Sequence, residues 1–304
     1  IISDSQSSAL FCSQNILNKI KESLEKLTEL KLVVLTDAQI REENIIGLQQ
    51  LYEEDIPHPV IYPAINIDDV ASLLYTSGTT AKPKGVMLTH KNLYANFQSL
   101  NDLNICTQED RVLSILPLHH AYAFTVTLLL PLFCGAIITY IHSFRTDQIL
   151  SAMQETKTTL LAGVPELLNA ILGSIQNNIK QLILPARTAI QIMKKFSSYV
   201  RDITGINLSK ILFQNIHSHF GGHLRFLVSG GARLEPEVAL ELMSFGFDIF
   251  EGYGLTETSP VVALAKKEKK KITDEVIYQR LSPSKIAFSK NTKPTRKMVT
   301  QSVS

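Results

Sequence analysis

Leu73-Leu-Tyr-Thr-Ser-Gly-Thr-Thr-Ala-Lys-Pro-Lys-Gly85 decides how the chain is read. Leu73, Leu74 and Tyr75 have the apolar character of a buried strand. They run into five small or hydroxylated residues, Thr76, Ser77, Gly78, Thr79 and Thr80, followed by Lys82 and Lys84. Small side chains let backbone N–H groups approach an anion, hydroxyls add donors, and the two ammonium groups supply the charge a polyphosphate requires. The composition therefore predicts a phosphate-holding loop. It is not the Walker form, G-x-x-x-x-G-K-[ST], because counting from Gly78 puts Pro83 where the second glycine must stand.

A second block, Glu251-Gly-Tyr-Gly-Leu-Thr-Glu-Thr258, lies downstream. In this order, the two blocks resemble the paired nucleotide motifs of the AMP-forming adenylating enzymes, the superfamily of acyl-CoA synthetases, firefly luciferase and nonribosomal peptide adenylation domains. Ala81 departs from the pattern, which most often has glycine there. The resemblance covers residues 9–264. The long helical interval between Gly163-Val-Pro165 and Ser229-Gly-Gly-Ala232 is most similar to the long-chain fatty acyl-CoA synthetases. The implied fold class is α/β, a layered large N-terminal domain of sheets flanked by helices. It is expected to be incomplete, because a whole member is much longer and adds a small C-terminal domain.

The resemblance implies ATP-dependent activation of a long-chain fatty acid through acyl-adenylate to acyl-CoA, with ATP, Mg²⁺ and coenzyme A taking part. It implies catalytic roles for Lys84, His120, Thr256 and Glu257. It implies nucleotide contacts for Thr76, Ser77, Gly78, Thr79, Thr80, Lys84, Gly230, Gly231, Ala232, Glu251, Gly252, Tyr253, Gly254 and Thr256. Attack of a carboxylate on the α-phosphate gathers like charges, so rate comes from positioning and charge neutralisation. Glu257 supplies the carboxylate that Mg²⁺ takes beside nucleotide oxygens. Thr256 is placed to bond the α-phosphate, Tyr253 to lay its ring on the adenine, and His120 to lie near the carboxylate and pyrophosphate. The family's ribose-binding Y-x-T-G-D and its C-terminal lysine have no match after Glu257, so the 304-residue chain alone is expected to form no thioester.

Composition narrows the classes. With 304 residues, 45% hydrophobic and 19% charged, the chain can bury a large core. A net charge of +2 leaves no electrostatic footprint for nucleic acid, so the partners expected are small molecules. Three cysteines without C-x-x-C point to a reduced, cytoplasmic setting. Ala121 to Ile141 carries no charge and raises a membrane span, but Pro131 and Gly135 divide it into a helical half and a β-branched half. From residue 265 onward a lysine run and Ser/Thr-rich sequence predict a flexible basic tail, leaving 1–264 as the partial adenylating domain. A peripheral membrane contact through those lysines stays open, as does a non-catalytic nucleotide-binding remnant. The chain starts at Ile1 with no signal pattern, which suggests a fragment or a missing start.

Periodicity predicts helices over 13–27, 90–103, 146–154 and 235–245, and strands over 31–36, 70–75, 86–89, 111–116, 159–162, 224–229 and 247–250. Residues 166–220 read as helical, with Ile190, Met193, Phe196, Val200 and Ile203 spaced for one face. His217, His219 and His223 have metal-like spacing. The following run to Ala232 resembles the family's path into its adenine-side loop, which explains them structurally.

Overall fold

The computed structural model describes residues 1–24, 26–53, 62–76, 83–141, 145–266 and 279–280. The backbone divides into two compact units, Ile1–Asp69 with Tyr75–Gly85, and Val70–Leu74 with Val86–Ser304. The loop residues Ser77, Gly78, Thr79 and Thr80 lie outside the described residues, as does the basic tail apart from residues 265–266 and Gln279–Arg280.

The first unit holds α1 (Ile2–Ser5), β1 (Ala9–Cys12), α2 (Gln14–Leu24), β2 (Leu32–Leu35), β3 (Arg41–Glu42), β4 (Ile45–Gly47) and α3 (Leu48–Tyr52). Its sheet runs β1-β2-β4-β3, with β1, β2 and β4 parallel and β3 antiparallel at the edge. The apolar spacing of α2 turns Leu17 and Leu24 onto Cys12, Val33 and Leu35, closing a small core. β5 (Val70–Thr76) and β6 (Lys84–Thr89) form a two-stranded sheet on either side of the phosphate-loop sequence.

The second unit is built on a seven-stranded sheet. It comprises β7 (Arg111–Ser114), β8 (Ile137–Tyr140), β9 (Leu160–Gly163), β10 (Phe226–Ser229), β11 (Ile249–Gly254), β12 (Val261–Lys266) and β13 (Gln279–Arg280). The order is β13-β12-β11-β10-β9-β7-β8. The five strands from β11 to β8 are parallel, and β12 and β13 are antiparallel. Parallel strands are covered on both faces and so read as unbroken apolar runs. Leu160-Leu-Ala-Gly163 and Phe226-Leu-Val-Ser229 are buried at every position. Alternation sends Leu113, Leu161 and Leu227 into one core, and Val112, Leu160, Ala162, Phe226 and Val228 into the other.

The helices on the two faces are α4 (His90–Asn101), α5 (Ala121–Ala123), a π-helix (Phe124–Leu129), α6 (Leu130–Cys134), α7 (Thr146–Thr156), α8 (Pro165–Lys180), α9 (Leu184–Thr204), α10 (Ser209–Leu212), α11 (Gln214–His219) and α12 (Pro236–Ser244). Pro131 does not end the helical run from 121 to 134. The π-register just before it widens the turn where the proline ring would meet the carbonyl four residues back, and Gly135, at φ 74°, terminates the run. No helix among the described residues is long and apolar enough to cross a membrane.

Two expectations are corrected. The apolar positions of α9 do not share one buried face: Ile190 and Met193 pack on the core, whereas Phe196 and Ile203 are exposed. The inward face is partly polar. Lys194 is paired with Glu241 and lies 4.6 Å over the Phe245 ring, Ser197 bonds Ser209, and Arg201 reaches Asp248. The apolar strand β12 was not expected, and it carries the sheet across the 264/265 boundary drawn on composition.

Candidate active site

The C-terminal ends of β9, β10 and β11 lie side by side, where ligands gather in parallel α/β sheets. Their exits are Gly163-Val-Pro165, Gly230-Gly-Ala232 and the 251–258 block. The register pairs Ser229 with Gly163 on one side and with Glu251 on the other. Two motifs singled out from the sequence, at 230–232 and 251–254, are therefore neighbours in space.

Glycine is required at specific points here. A Cβ on Gly230 would stand 2.7 Å from the Tyr122 ring, whose hydroxyl donates to the carbonyls of Val228 (3.2 Å) and Gly163 (3.4 Å). Gly231, at φ +83°, needs the left-handed region that glycine enters freely. A Cβ on Gly254 would lie 1.9 Å from the Pro260 carbonyl oxygen. Tyr122 is partly buried, and burial pushes its phenol well above the ordinary tyrosine range. It serves as a neutral donor that ties β9 to β10 beneath the glycine loop.

Glu251 is buried, and its Oε1 accepts the Leu234 backbone N–H at 2.9 Å. The carboxylate thus holds the 230–234 loop from the adjacent strand. After Gly254 the chain turns through Thr256–Thr258, a short 3-10 helix. The Thr258 hydroxyl accepts the Leu255 N–H at 3.0 Å, and the Pro260 carbonyl accepts the same N–H at 3.0 Å. Asn96 of α4 brackets the next residue, donating to the Val261 carbonyl at 2.7 Å and accepting its N–H at 3.4 Å. This turn presents Tyr253 to solvent, 39% exposed, and leaves Thr256 and Glu257 partly exposed. Glu257 is a single accessible carboxylate. Among the described residues no group of three or more His, Cys, Asp or Glu could hold a metal, so a cation held by Glu257 would need its other ligands from a nucleotide and water. That arrangement fits Mg²⁺.

His119 and His120 are exposed at the end of the β7 exit, with ring centroids 4.2 Å apart. Thr76 and Lys84 belong to the first unit, at the ends of β5 and β6, where Lys84 is exposed. His217 is not a ligand: it is buried against the Phe247 ring, and its Nε2–H donates to the Phe245 carbonyl at 2.9 Å. Burial lowers its pKa. Sequence reasoning missed Tyr122 and Asn96. Tyr122 stands two residues after His120 and carried a signal; Asn96 sits in a helix with nothing to mark it.

The AMP-binding enzyme family model matches residues 1–278. The chain belongs to the AMP-binding enzymes. This AMP-binding chain is 29% identical over 283 residues to the peroxisomal long chain acyl-CoA synthetase 6 of Arabidopsis thaliana, covering 86% of the chain and 39% of that protein. To long-chain-fatty-acid–CoA ligase 2 of Schizosaccharomyces pombe it is 28% identical, with 84% and 40% covered. It therefore spans about two fifths of these relatives' length. A solved long-chain-fatty-acid-CoA ligase from Archaeoglobus fulgidus superposes with TM-score 0.64 at 20% identity, covering 87% of the chain and 46% of the ligase. The ATP-bound MatB of Rhodopseudomonas palustris gives 0.62 at 24% identity, with 87% and 43% covered. The mixed α/β architecture of this AMP-binding chain is thus that of the N-terminal domain of adenylate-forming enzymes, in part.

The second unit also has a half-open apolar cleft of about 340 Å³ between α8, α9 and α11. Ile175, Ile179, Met193, Ile216 and Phe220 line it, and Asn178 and His219 add polar groups. It lies against the C-terminal half of α8, a helix that starts at the site end of β9.

Proposed function

We propose that the protein takes part in activating a long-chain fatty acid, through acyl-adenylate to acyl-CoA, with ATP and coenzyme A as co-substrates. The observation that carries this reading is the juxtaposition of the Gly230–Ala232 loop with the Glu251–Thr258 turn at the strand ends, in a chain whose relatives are long-chain acyl-CoA synthetases. Tyr253 stacks on the adenine, Gly230 and Gly231 let the backbone approach the base, and Thr256 donates to the α-phosphate. His120 orients the attacking carboxylate. Glu257 and nucleotide oxygens would hold Mg²⁺, which supplies charge neutralisation as pyrophosphate departs. None of these groups forms a covalent bond with substrate, so their contribution is electrostatic and positional.

The cleft favours a long acid over a short one. From Pro165 to Ser174, where the lining begins, the helix α8 rises about 14 Å, a length that suits an extended acyl tail. The apolar lining suits methylene groups rather than a polar acid. Titrating the chain with ATP in excess Mg²⁺, followed by calorimetry, tests the nucleotide half of the proposal. Saturable binding that AMP competes away is expected. Absence of any nucleotide binding would overturn it.

A further inference from the structure

A surface helix ordinarily turns its apolar side to the core and its charges to water. In α9 much of this is reversed. Lys194 and Ser197 are buried, and Lys194 and Arg201 are paired with Glu241 and Asp248. Leu184, Ile192, Phe196, Tyr199 and Ile203, spaced to share the outer side, are 56–74% exposed. Ile183 continues the stripe at one end of the helix and Ile206 at the other, both more than half exposed. Scattered apolar residues are normal on a protein surface, whereas a stripe along the about 30 Å of a 21-residue helix marks a contact.

The charge beside the stripe is one-sided. Residues 180–216 hold six Lys or Arg and one acidic residue, Asp202, in a chain whose net charge is only +2. Lys194, Arg201 and Lys210 are engaged by Glu241 and Asp248, and Arg187 donates to the carbonyls of Lys180 and Leu182. Lys180 and Lys195 stand exposed, and Lys195 lies one helical turn from both Ile192 and Tyr199. Apolar side chains with ammonium groups among them are the composition of a helix lying in the plane of an anionic lipid surface. The apolar groups enter the headgroup boundary, and the lysines meet phosphate. A second copy of the chain is a poorer occupant, because two-fold pairing of this stripe sets the same positive charges against one another.

We propose that the outer side of α9 is a membrane-docking surface that seats the protein on anionic lipid. The inner side of the same helix lines the apolar cleft through Ile190 and Met193. Docking therefore brings the cleft within about 10 Å, one helix diameter, of a bilayer in which a long-chain acid dissolves. That consequence for substrate supply rests on the fatty-acid reading above; the docking itself does not.

The test uses vesicles of equal parts phosphatidylcholine and phosphatidylglycerol. The chain has no tryptophan, so Phe196→Trp reports from one place. Its emission should shift to the blue when vesicles are added and be quenched by lipid brominated in the acyl chains. Cosedimentation of the chain should fall about tenfold or more when Ile192 and Phe196 are both changed to Asn, and about fivefold for each of Lys180→Gln and Lys195→Gln. All four positions are exposed, so the unfolding temperatures of these variants should hold. Vesicle binding without ATP binding would support the docking and remove the adenylating reading, so the two failures are distinguishable. Tryptophan emission that ignores the vesicles would overturn the proposal. Cosedimentation unmoved by the α9 variants would do the same, assigning the contact to Lys266–Lys271. So would a dimer in light scattering that the Asn pair dissolves while vesicles go unbound.

Discussion

Gly252 and Gly254 stand two residues apart in one motif, yet alanine at the two positions should behave oppositely. At Gly252 an added Cβ meets Leu264 Cδ1 at 3.5 Å and the Ser229 carbonyl oxygen at 3.8 Å, ordinary contact distances. Gly252→Ala should be neutral or stabilising by about 0.5 kcal/mol, since glycine in a strand loses more backbone freedom on folding than alanine. At Gly254 the Cβ would lie 1.9 Å from the Pro260 carbonyl oxygen and 2.8 Å from its carbon. Both are backbone atoms, and that same oxygen accepts the Leu255 N–H, so the obstruction has no flexible end to swing aside. Relief requires moving the turn that presents Thr256 and Glu257. Gly254→Ala should cost about 1–3 kcal/mol, as overpacking in a filled site does. With a urea slope of about 2 kcal/mol/M, that lowers the midpoint by about 0.5–1.5 M. The chain has no tryptophan, so the transition is followed by circular dichroism. ATP affinity, measured below the transition, should fall with Gly254→Ala and hold with Gly252→Ala. Equal midpoints for the two variants, or a larger loss at Gly252, would refute the argument.

Glu251→Ala removes the acceptor of the Leu234 N–H from a buried site and should destabilise the second unit by about 1.5–3 kcal/mol, read by urea denaturation. Burial lowers the His217 pKa below its unfolded value near 6.5, so its contribution to stability is full above about pH 6.5 and is lost as pH falls through the folded value. His217→Gln should flatten that part of the stability–pH curve, and an unchanged curve would assign the acid loss to other groups. Ile179→Trp should fill part of the 340 Å³ cleft and move acyl-adenylate analogue binding toward shorter chains, measured over a graded series.

The parallel strands were legible because burial on both faces leaves apolar runs with glycine or serine at their ends. Leu160–Gly163 and Phe226–Ser229 show this directly. The antiparallel β12 was not, because its pattern merges into the lysine run and its placement rests on Asn96, 165 residues earlier in the chain. The inward face of α9 was misread for a related reason. Partners at Glu241 and Asp248 compensate the charges of the buried Lys194 and the partly buried Arg201, and such pairing is invisible to hydropathy. At the site, Gly230 and Gly254 were found as motif letters, whereas the reasons for them, the Tyr122 ring and the Pro260 carbonyl, emerge only in three dimensions. Glu251 was marked by its motif, whereas the Leu234 N–H that its carboxylate accepts emerges only in three dimensions.

The most direct test of the central claim is binding of non-hydrolysable acyl-adenylate analogues to the chain, comparing palmitoyl with acetyl on the same adenosine scaffold. With the acyl tail in the apolar cleft beside α8, the chain should bind the palmitoyl analogue at least tenfold more tightly, about 1.4 kcal/mol or more, and Ile179→Trp should erase most of that difference. Equal affinity for the two analogues would contradict the long-chain reading, and failure of both to bind would contradict the adenylate site itself.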